Sequence, residues 1–316
     1  MPVSQTIKLR VRSAELVAEG VRQLELESMA GLDLPPWQPG AHIEVRLPSG
    51  LVRHYSLCGD PADRKVYRIA VLREAAGRGG SIELHDAVAA GDAIEVRTPR
   101  NNFELHPAGG YLFLGGGIGV TPLIPMMREA DEKGIPWRLV YGGRSRSSMA
   151  YVTALQAEHG EQVAVSADDA EGRPDFAALL DALVPGTAVY ACGPTPMLDL
   201  LAAMAVEREP AVDLHLERFA VDAVDITGEP FEAELTRSGV TIEVGSDETL
   251  LGAMLQRGLN APYSCENGYC GTCEAVVLEG EPDHRDTYLT DDEKADGFTM
   301  MICVSRCAGR RIVLDL

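Results

Sequence analysis

Long apolar runs are missing from this sequence. A membrane-spanning helix needs roughly 20 consecutive apolar residues, and Leu200–Val206, among the longest runs present, falls far short. The N-terminus, MPVSQTIKLRVRS, also lacks the apolar core of a secretory signal, so a cytoplasmic location is expected. Positive charge is scarce. Lys and Arg number 28 against 48 Asp and Glu, for a formal charge of −20. Such a surface repels phosphate backbones and argues against DNA or RNA as a partner. Internal repeats and low-complexity segments are absent as well. Hydrophobic residues at 46% and charged residues at 24% exclude a disordered or fibrous chain. The 316 residues allow two or three domains at roughly 100–200 residues each.

The charge is unevenly spread. Residues 1–107 carry 13 basic against 14 acidic side chains, residues 108–228 carry 8 against 17, and residues 229–316 carry 7 against 17. Half of the excess therefore lies in the last 88 residues. That is either a generic solubilising surface or a docking face for a basic partner. Five of the seven cysteines fall in the same stretch. In a cytoplasmic chain such clustering points to a metal site rather than to disulfides.

The first third reads as β. His42–Leu47, Leu51–Leu57, Tyr67–Leu72 and Ala93–Arg97 are short runs of strand-forming residues punctuated by Pro and Gly, which suggests a sandwich or barrel. Ser81–Ala89 is the helix candidate there. From Tyr111 onward the pattern alternates. Strands at Tyr111–Leu114, Trp137–Tyr141, Gln162–Val165, Ala188–Ala191 and Val212–Leu216 are separated by helices at Thr121–Lys133, Ser147–Glu158, Asp175–Leu183 and Thr195–Glu207. Such alternation means βαβ units and an open parallel sheet. Asp222–Pro230 reads as a linker. A hairpin of Phe231–Thr236 and Val240–Val244, a helix at Thr249–Gln256, strands at Glu274–Leu278 and Arg311–Leu316, and an acidic turn or helix at Thr290–Ala295 follow it.

The strongest motif is Cys265-x4-Cys270-x2-Cys273-x29-Cys303, the spacing of a plant-type [2Fe–2S] loop. Four thiolates must surround two irons. Gly268 and Gly271 between the cysteines let backbone N–H groups approach the sulfides and tune the cluster. The competing reading is a structural zinc site, although only Cys270–Cys273 forms a CxxC knuckle. Cys307 competes with Cys303 as the fourth ligand. Cys58 and Cys307 read either as regulatory thiols or as buried bystanders.

Two further turns point to a nucleotide. Gly115-Gly116-Gly117-Ile118-Gly119-Val120-Thr121-Pro122 joins a strand to a helix, where free N–H groups and the dipole favour phosphate. It is G-x-G-x-G rather than G-x-G-x-x-G, so it also reads as a tight structural turn. Ala191-Cys192-Gly193-Pro194-Thr195 likewise follows a strand and opens a helix. Arg144 and Arg146 follow the second strand of this sheet. They can meet the ribose or pyrophosphate of NADH or a 2′-phosphate of NADPH, or belong to a solvated basic loop. In the β-rich third, Arg53-His54-Tyr55-Ser56-Leu57 offers a flavin a phosphate ligand in Arg53, a stacking ring in Tyr55 and a ring-edge hydrogen bond from Ser56, though it also reads as an ordinary strand. Gly77–Ser81 is another anion-binding helix start, with Ser81 as a candidate N-cap.

Together these segments resemble the phthalate dioxygenase reductase type family, a branch of the ferredoxin–NADP reductase superfamily that includes vanillate demethylase reductases. The resemblance covers nearly the whole chain and is carried by Arg53-x-Tyr55-Ser56-Leu57, Gly79-Gly80-Ser81, Gly115–Pro122, Cys192-Gly193-Pro194, the four-cysteine pattern and the ending Cys303-Val-Ser-Arg306 through Leu314-Asp-Leu316. It implies an antiparallel β-barrel flavin domain at 1–107, an open parallel α/β nucleotide domain at 108–226 and a β-grasp ferredoxin domain at 227–316. It implies FMN, with its phosphate held at Gly79, Gly80 and Ser81, the Ala70-Val71 strand passing its ring and Phe219 near it. It implies NADH as the usual donor, bound by Gly116, Gly117, Ile118, Gly119, Thr121, Pro122, Gly193 and Pro194, with Ser56, Thr121 and Cys192 framing the nicotinamide. It favours Cys303 as the fourth cluster ligand.

A nicotinamide gives up two electrons together and an iron–sulfur cluster takes one. A flavin can do both, so it belongs between them. No general acid or base is required. The expected acceptor is a Rieske non-haem iron oxygenase. A cytochrome P450 or other monooxygenase is the alternative acceptor, and a zinc-holding redox sensor is the alternative of another class.

Overall fold

Ile7-Lys-Leu-Arg-Val-Arg12 alternates apolar with charged side chains, and it folds as the first strand of a barrel. The structure is a computed structural model and describes residues 6–75, 77, 79–208, 212–219, 224–263, 266–269 and 271–316. It divides into two compact units, Met1–Ala220 and Val221–Leu316.

The barrel in the first unit is built from β1 (Thr6–Ala18), β2 (Val21–Ser28), β3 (Ala41–Arg46), β4 (Val52–Ser56), β5 (Val66–Leu72), α1 (Gly80–Asp86), β6 (Ala93–Arg97) and β7 (Arg100–Asn101). Strand order is β4-β3-β6-β1-β2-β5, with β7 paired to β3. A bridge from Leu57 to Ile69 and a 2.9 Å bond from the Cys58 N–H to the Arg68 carbonyl close the sheet on itself. Leu9, Val11, Leu26, Ile43, Leu57, Ile69 and Val96 fill its interior.

The sequence reading assigns no strand before His42, and β1 and β2 correct it. Only Leu9 and Val11 are fully buried along the 13 residues of β1. Its other face is charged and pairs across the hairpin, as Arg10 does with Glu27 at 2.6 Å. The strand is held by alternation rather than by an apolar run.

The second sheet of this unit consists of β8 (Gly110–Gly116), α2 (Leu123–Glu132), β9 (Trp137–Gly143), α3 (Val152–His159), β10 (Val163–Ala167), α4 (Phe176–Asp181), β11 (Thr187–Cys192), α5 (Thr195–Val206) and β12 (Leu214–Glu217). Its order is β10-β9-β8-β11-β12, all parallel. Both faces are covered, which is why Tyr111–Leu114 is a continuous apolar run. Phe113 packs in one layer with Leu123, Leu139 and Tyr190, while Leu112 and Leu114 pack in the other with Val189, Leu198 and Leu201. The strand order reverses between β8 and β11, the place where open sheets bind ligands.

Two helix starts differ from expectation. Gly117–Val120 forms a 3-10 turn and α2 begins only after Pro122. The segment expected as a helix from Ser147 makes a 3-10 turn at Arg146–Ser148, and α3 starts after Tyr151, whose φ of 64° breaks the helix.

The second unit contains β13 (Phe231–Leu235), β14 (Val240–Val244), α6 (Leu250–Gln256), β15 (Glu274–Glu279), β16 (Pro282–Asp283), α7 (Asp291–Asp296), β17 (Thr299–Met301), β18 (Arg306–Cys307) and β19 (Arg311–Leu314). Its main sheet runs β14-β13-β19-β15-β17, with β13 and β19 parallel, and β16 pairs with β18. The helix α6 buries Leu250, Leu251, Ala253 and Met254 against Phe231, Ile242 and Leu314.

Residues 224–230, read from the sequence as a linker, are part of this unit. The buried Arg306 donates to the carbonyls of Ile226, Glu229, Gly245 and Glu248, at 2.8, 3.1, 2.8 and 2.6 Å. Arg285 donates to those of Asp225 and Thr227. A buried guanidinium satisfied by four carbonyls avoids the penalty of unpaired burial. It also fixes the chain entering β13 to the segment that follows Cys303.

Candidate functional site

The two glycine turns meet at the switch point. A Cβ on Gly119 would lie 2.2 Å from the Cys192 carbonyl oxygen, and one on Gly116 would lie 2.7 Å from Pro194 Cδ. A Cβ on Gly193 would lie 2.9 Å from Gly116 Cα. Glycine at these positions lets the backbone of the β8 turn touch that of the β11 turn. Gly117 adds a left-handed φ of 55°. Thr121 is buried and its hydroxyl donates to the Ile118 carbonyl at 2.9 Å, which ties the turn to the start of α2. Pro122 and Pro194 occupy the N-cap positions of α2 and α5. Gly116, Gly117, Ile118, Gly119, Thr121, Pro122, Cys192, Gly193 and Pro194 are thus one constellation.

Beside it, parallel pairing sets Cys192 opposite Glu217. Cys192 is fully buried, and burial, reinforced by the Glu217 charge, holds its thiol well above the ordinary range. Glu217 is partly accessible as a residue, but its Oε2 is sealed from solvent and has no hydrogen-bond partner among the described residues. Burial raises its carboxyl from 4.5 to about 8, and the nearby Ser56 hydroxyl offsets part of that rise. Ser56 Oγ is itself buried without a hydrogen-bond partner among the described residues. Its distance or angle to Glu217 falls outside hydrogen-bond geometry, although the two are close enough to interact. Two orphaned polar atoms of opposite lobes therefore share one place, a reason to expect a ligand edge there. The sequence reading named Ser56 and Cys192 but missed Glu217. Its place beside Phe219 was the available signal. Phe219, just beyond β12, is 42% exposed.

On the barrel, Arg53, Tyr55 and Ser56 lie on β4, with Leu57 directly after it. Tyr55 is partly buried, and burial raises its hydroxyl above the ordinary range. Gly80 rests on Arg53, since a Cβ there would lie 2.6 Å from Nε. Gly79, left-handed at φ 82°, holds the N-cap position. The expectation that Ser81 caps this helix is corrected: its hydroxyl accepts from the Glu74 N–H at 3.0 Å, and the helix begins one residue earlier at Gly80. Arg53, Gly79 and Gly80 are nevertheless brought together. Ala70 and Val71 are buried on β5. Arg144 is exposed and Arg146 is bonded to Glu171 Oε1 at 2.8 and 3.2 Å.

In the second unit, Glu274 on β15 pairs with Met301 on β17, and the Ile302 N–H donates to the Cys273 carbonyl at 3.3 Å. Cys273 and Cys303 are thereby neighbours, both buried. Cys265 and Cys270 lie outside the described residues. Gly268 and Gly271 have left-handed φ values of 74° and 70°. A Cβ on the first would meet Val304 at 2.6 Å, and one on the second would meet the Tyr288 ring at 2.3 Å. These glycines press the cysteine loop onto the segments holding Asp286, Tyr288 and Val304. Cys307 pairs instead with Pro282, its Sγ accepting from the Gly309 N–H and donating to the Arg311 carbonyl. The residues present fit a cluster at Cys273 and Cys303, and those of the first unit fit a flavin at Arg53 and Ser56.

Among the described residues no helix is long and apolar enough to cross a membrane. A family model described as the 2Fe-2S iron-sulfur cluster binding domain matches residues 233–308, which displaces the zinc reading. The phenoxybenzoate dioxygenase subunit beta of Ectopseudomonas oleovorans is 43% identical over 98% of this chain and 97% of its own length. The solved phthalate dioxygenase reductase, described as a modular structure for electron transfer from pyridine nucleotides to [2Fe–2S], aligns with a TM-score of 0.77 at 36% identity over 98% of both chains. An intact type IV self-sufficient cytochrome P450 monooxygenase aligns with a TM-score of 0.85 at 39% identity, over 99% of this chain and 41% of its own. On fold and relatives, the chain belongs to the phthalate dioxygenase reductase family, the FMN- and [2Fe–2S]-dependent reductase components that supply oxygenases with electrons.

Proposed function

We propose that this protein passes electrons from NADH through FMN and a [2Fe–2S] cluster to a Rieske non-haem iron oxygenase in the cytoplasm. The observation that carries the reading is the meeting of Ser56, Cys192 and Glu217 beside the paired glycine turns, where a nicotinamide and a flavin edge can share one buried place. A bound flavin supplies the step between a two-electron donor and a one-electron acceptor.

In this reading the chain's own residues divide the work by domain, with the flavin part at 1–107, the nucleotide part at 108–226 and the ferredoxin part at 227–316. Arg53, Gly79, Gly80 and Ser81 hold the FMN phosphate. Tyr55, Leu57, Ala70, Val71 and Phe219 bound its ring, and Ser56 donates to the ring edge. Gly116–Pro122, Gly193 and Pro194 hold the NADH pyrophosphate, and Thr121 and Cys192 frame the nicotinamide. Cys265, Cys270, Cys273 and Cys303 hold the cluster. Arg146 gives its Nε and Nη2 to Glu171 and Arg144 is exposed, so both remain able to meet a 2′-phosphate, and reduction by NADH against NADPH separates the two donors. The acidic 229–316 segment supports docking on a basic oxygenase surface, so turnover should fall with added salt.

A second reading keeps the cofactors and changes the acceptor to a cytochrome P450, and the likeness to the self-sufficient P450 favours it. Anaerobic visible spectra before and after stoichiometric NADH test the shared part. Flavin and cluster bands that both bleach support the relay, and a colourless protein overturns it. Reconstitution with a Rieske oxygenase and with a P450 separates the acceptors.

A further inference from the structure

Tyr151 stands between β9 and α3 with φ 64° and ψ 4°. A non-glycine residue held left-handed is strained by its Cβ, and such strain persists only where the surroundings impose it. Glycine or asparagine would relieve it, yet neither carries a ring that reaches as far. The tyrosine hydroxyl lies in the opposite lobe of the first unit. It donates to Gln23 Oε1 at 2.9 Å and lies 3.7 Å from Cys58 Sγ. Gln23 is 128 residues away along the chain and Cys58 is 93 away.

The partners are not incidental. Gln23 on β2 is paired directly opposite Ala70 on β5, the strand assigned to the flavin ring. Cys58 belongs to the segment that closes the barrel just after Ser56. On the other side, Ala150 is buried beside Tyr151 and its carbonyl accepts from the Tyr141 hydroxyl at 3.1 Å. Val21, Cys58, Ala70 and Ala150 form a buried apolar cluster against which Ile118 and Tyr151 pack. Ile118 lies in the glycine turn assigned to the nucleotide. One small cluster therefore joins the flavin strand of the barrel to the nucleotide turn of the parallel sheet. A second tie lies beside it, where the Glu19 N–H donates to the Ser147 carbonyl at 2.8 Å and the Ser147 hydroxyl donates to the Glu19 carboxylate at 2.9 Å.

We propose that Tyr151 is a positioning residue that locks the nucleotide lobe against the barrel and sets the separation between nicotinamide and flavin. The proposal rests on the NADH-to-FMN reading above. Hydride transfer depends steeply on separation, and a misplacement of about 1 Å can cost about 100-fold. Tyr151 touches neither reactant in this assignment. Its strained backbone aims the ring across the lobe boundary, and its hydroxyl holds β2 beside the flavin strand β5.

The test uses the loaded full-length protein with Tyr151→Phe, which keeps the ring and deletes the hydroxyl. Gln23→Leu removes the same bond from the barrel side. Stopped-flow reduction of the flavin by NADH should slow about ten-fold in each variant, with a larger primary isotope effect from 4-deuterated NADH and an NADH dissociation constant within about two-fold of the wild type. The double variant should be no slower than Tyr151→Phe alone, because the bond that Gln23→Leu deletes is already gone there. Amide hydrogen exchange at Ala70–Leu72 and Gly117–Val120 should quicken in both, a readout independent of turnover. Unchanged reduction rates overturn the proposal, and so does weaker NADH binding with an unchanged transfer rate. If NADH fails to reduce the wild-type flavin, the cofactor reading falls, and the exchange at the two segments still decides whether Tyr151 locks the lobes.

Discussion

Replacing Glu217 with glutamine should flatten the dependence of stability on pH. In the native chain the Glu217 carboxyl keeps its proton up to about pH 8, against 4.5 ordinarily, because burial disfavours the charge more than the Ser56 hydroxyl favours it. The unfolded chain releases that proton near the ordinary value. Between the two, the native state binds one proton more than the unfolded state, so stability falls as pH rises. The contribution of this group is complete below pH 4.5 and is lost as pH passes about 8. At about 1.4 kcal/mol per pH unit, that interval amounts to roughly 5 kcal/mol. Glutamine cannot ionise and should escape the loss. Urea unfolding of wild type and E217Q, measured from about pH 5 to about pH 9, should show the variant's relative stability climbing by several kcal/mol across the range. A difference that does not change with pH would refute the reasoning, since it would mean that the native carboxyl ionises at its ordinary value. Difference infrared spectra offer an independent check. A protonated carboxyl band present in the neutral wild type should be absent from E217Q.

Three further substitutions probe the glycine turns and the cysteines. Gly119→Ala places a methyl 2.2 Å from one backbone oxygen and 2.4 Å from its carbon, neither of which belongs to a flexible side chain. The two turns must part, at a cost of about 1–3 kcal/mol. If about 1.4 kcal/mol of that appears in binding, the NADH dissociation constant rises about ten-fold, and equal affinity in a titration would refute the contact. Cys303→Ser should abolish the cluster absorption and its electron paramagnetic resonance signal, while Cys307→Ser should keep both. Cys307 is engaged with the Gly309 N–H and Arg311 carbonyl rather than beside Cys273, and the reverse result would make it the fourth ligand.

What could be read from the sequence was what is local. The cysteine spacing, the glycine turns between strand and helix, and the β-rich first third are patterns within a few residues, and each leads to its element. Pairing between distant segments was not legible. Glu217 meets Cys192 because β12 adds parallel to β11 in one register, and no local pattern states that register. The 224–230 segment carries linker composition, yet Arg306 and Arg285, 58 to 80 residues further on, bind its carbonyls. Composition reports the side chains of such a segment and not the acceptors on its backbone. Tyr151 is the sharpest case. Helical periodicity runs through it because periodicity describes which side chains face a core, while its left-handed backbone accompanies a bond to Gln23 across the lobe boundary. The ligand-sized features depend on the same distant pairings. Ser56 and Glu217 are each unexceptional in sequence and become a candidate site only when barrel and parallel sheet bring together two buried oxygens that lack partners among the described residues. A search of related chains for left-handed residues whose side chains cross between lobes should therefore reveal positions that glycine propensity and hydrophobic pattern both pass over.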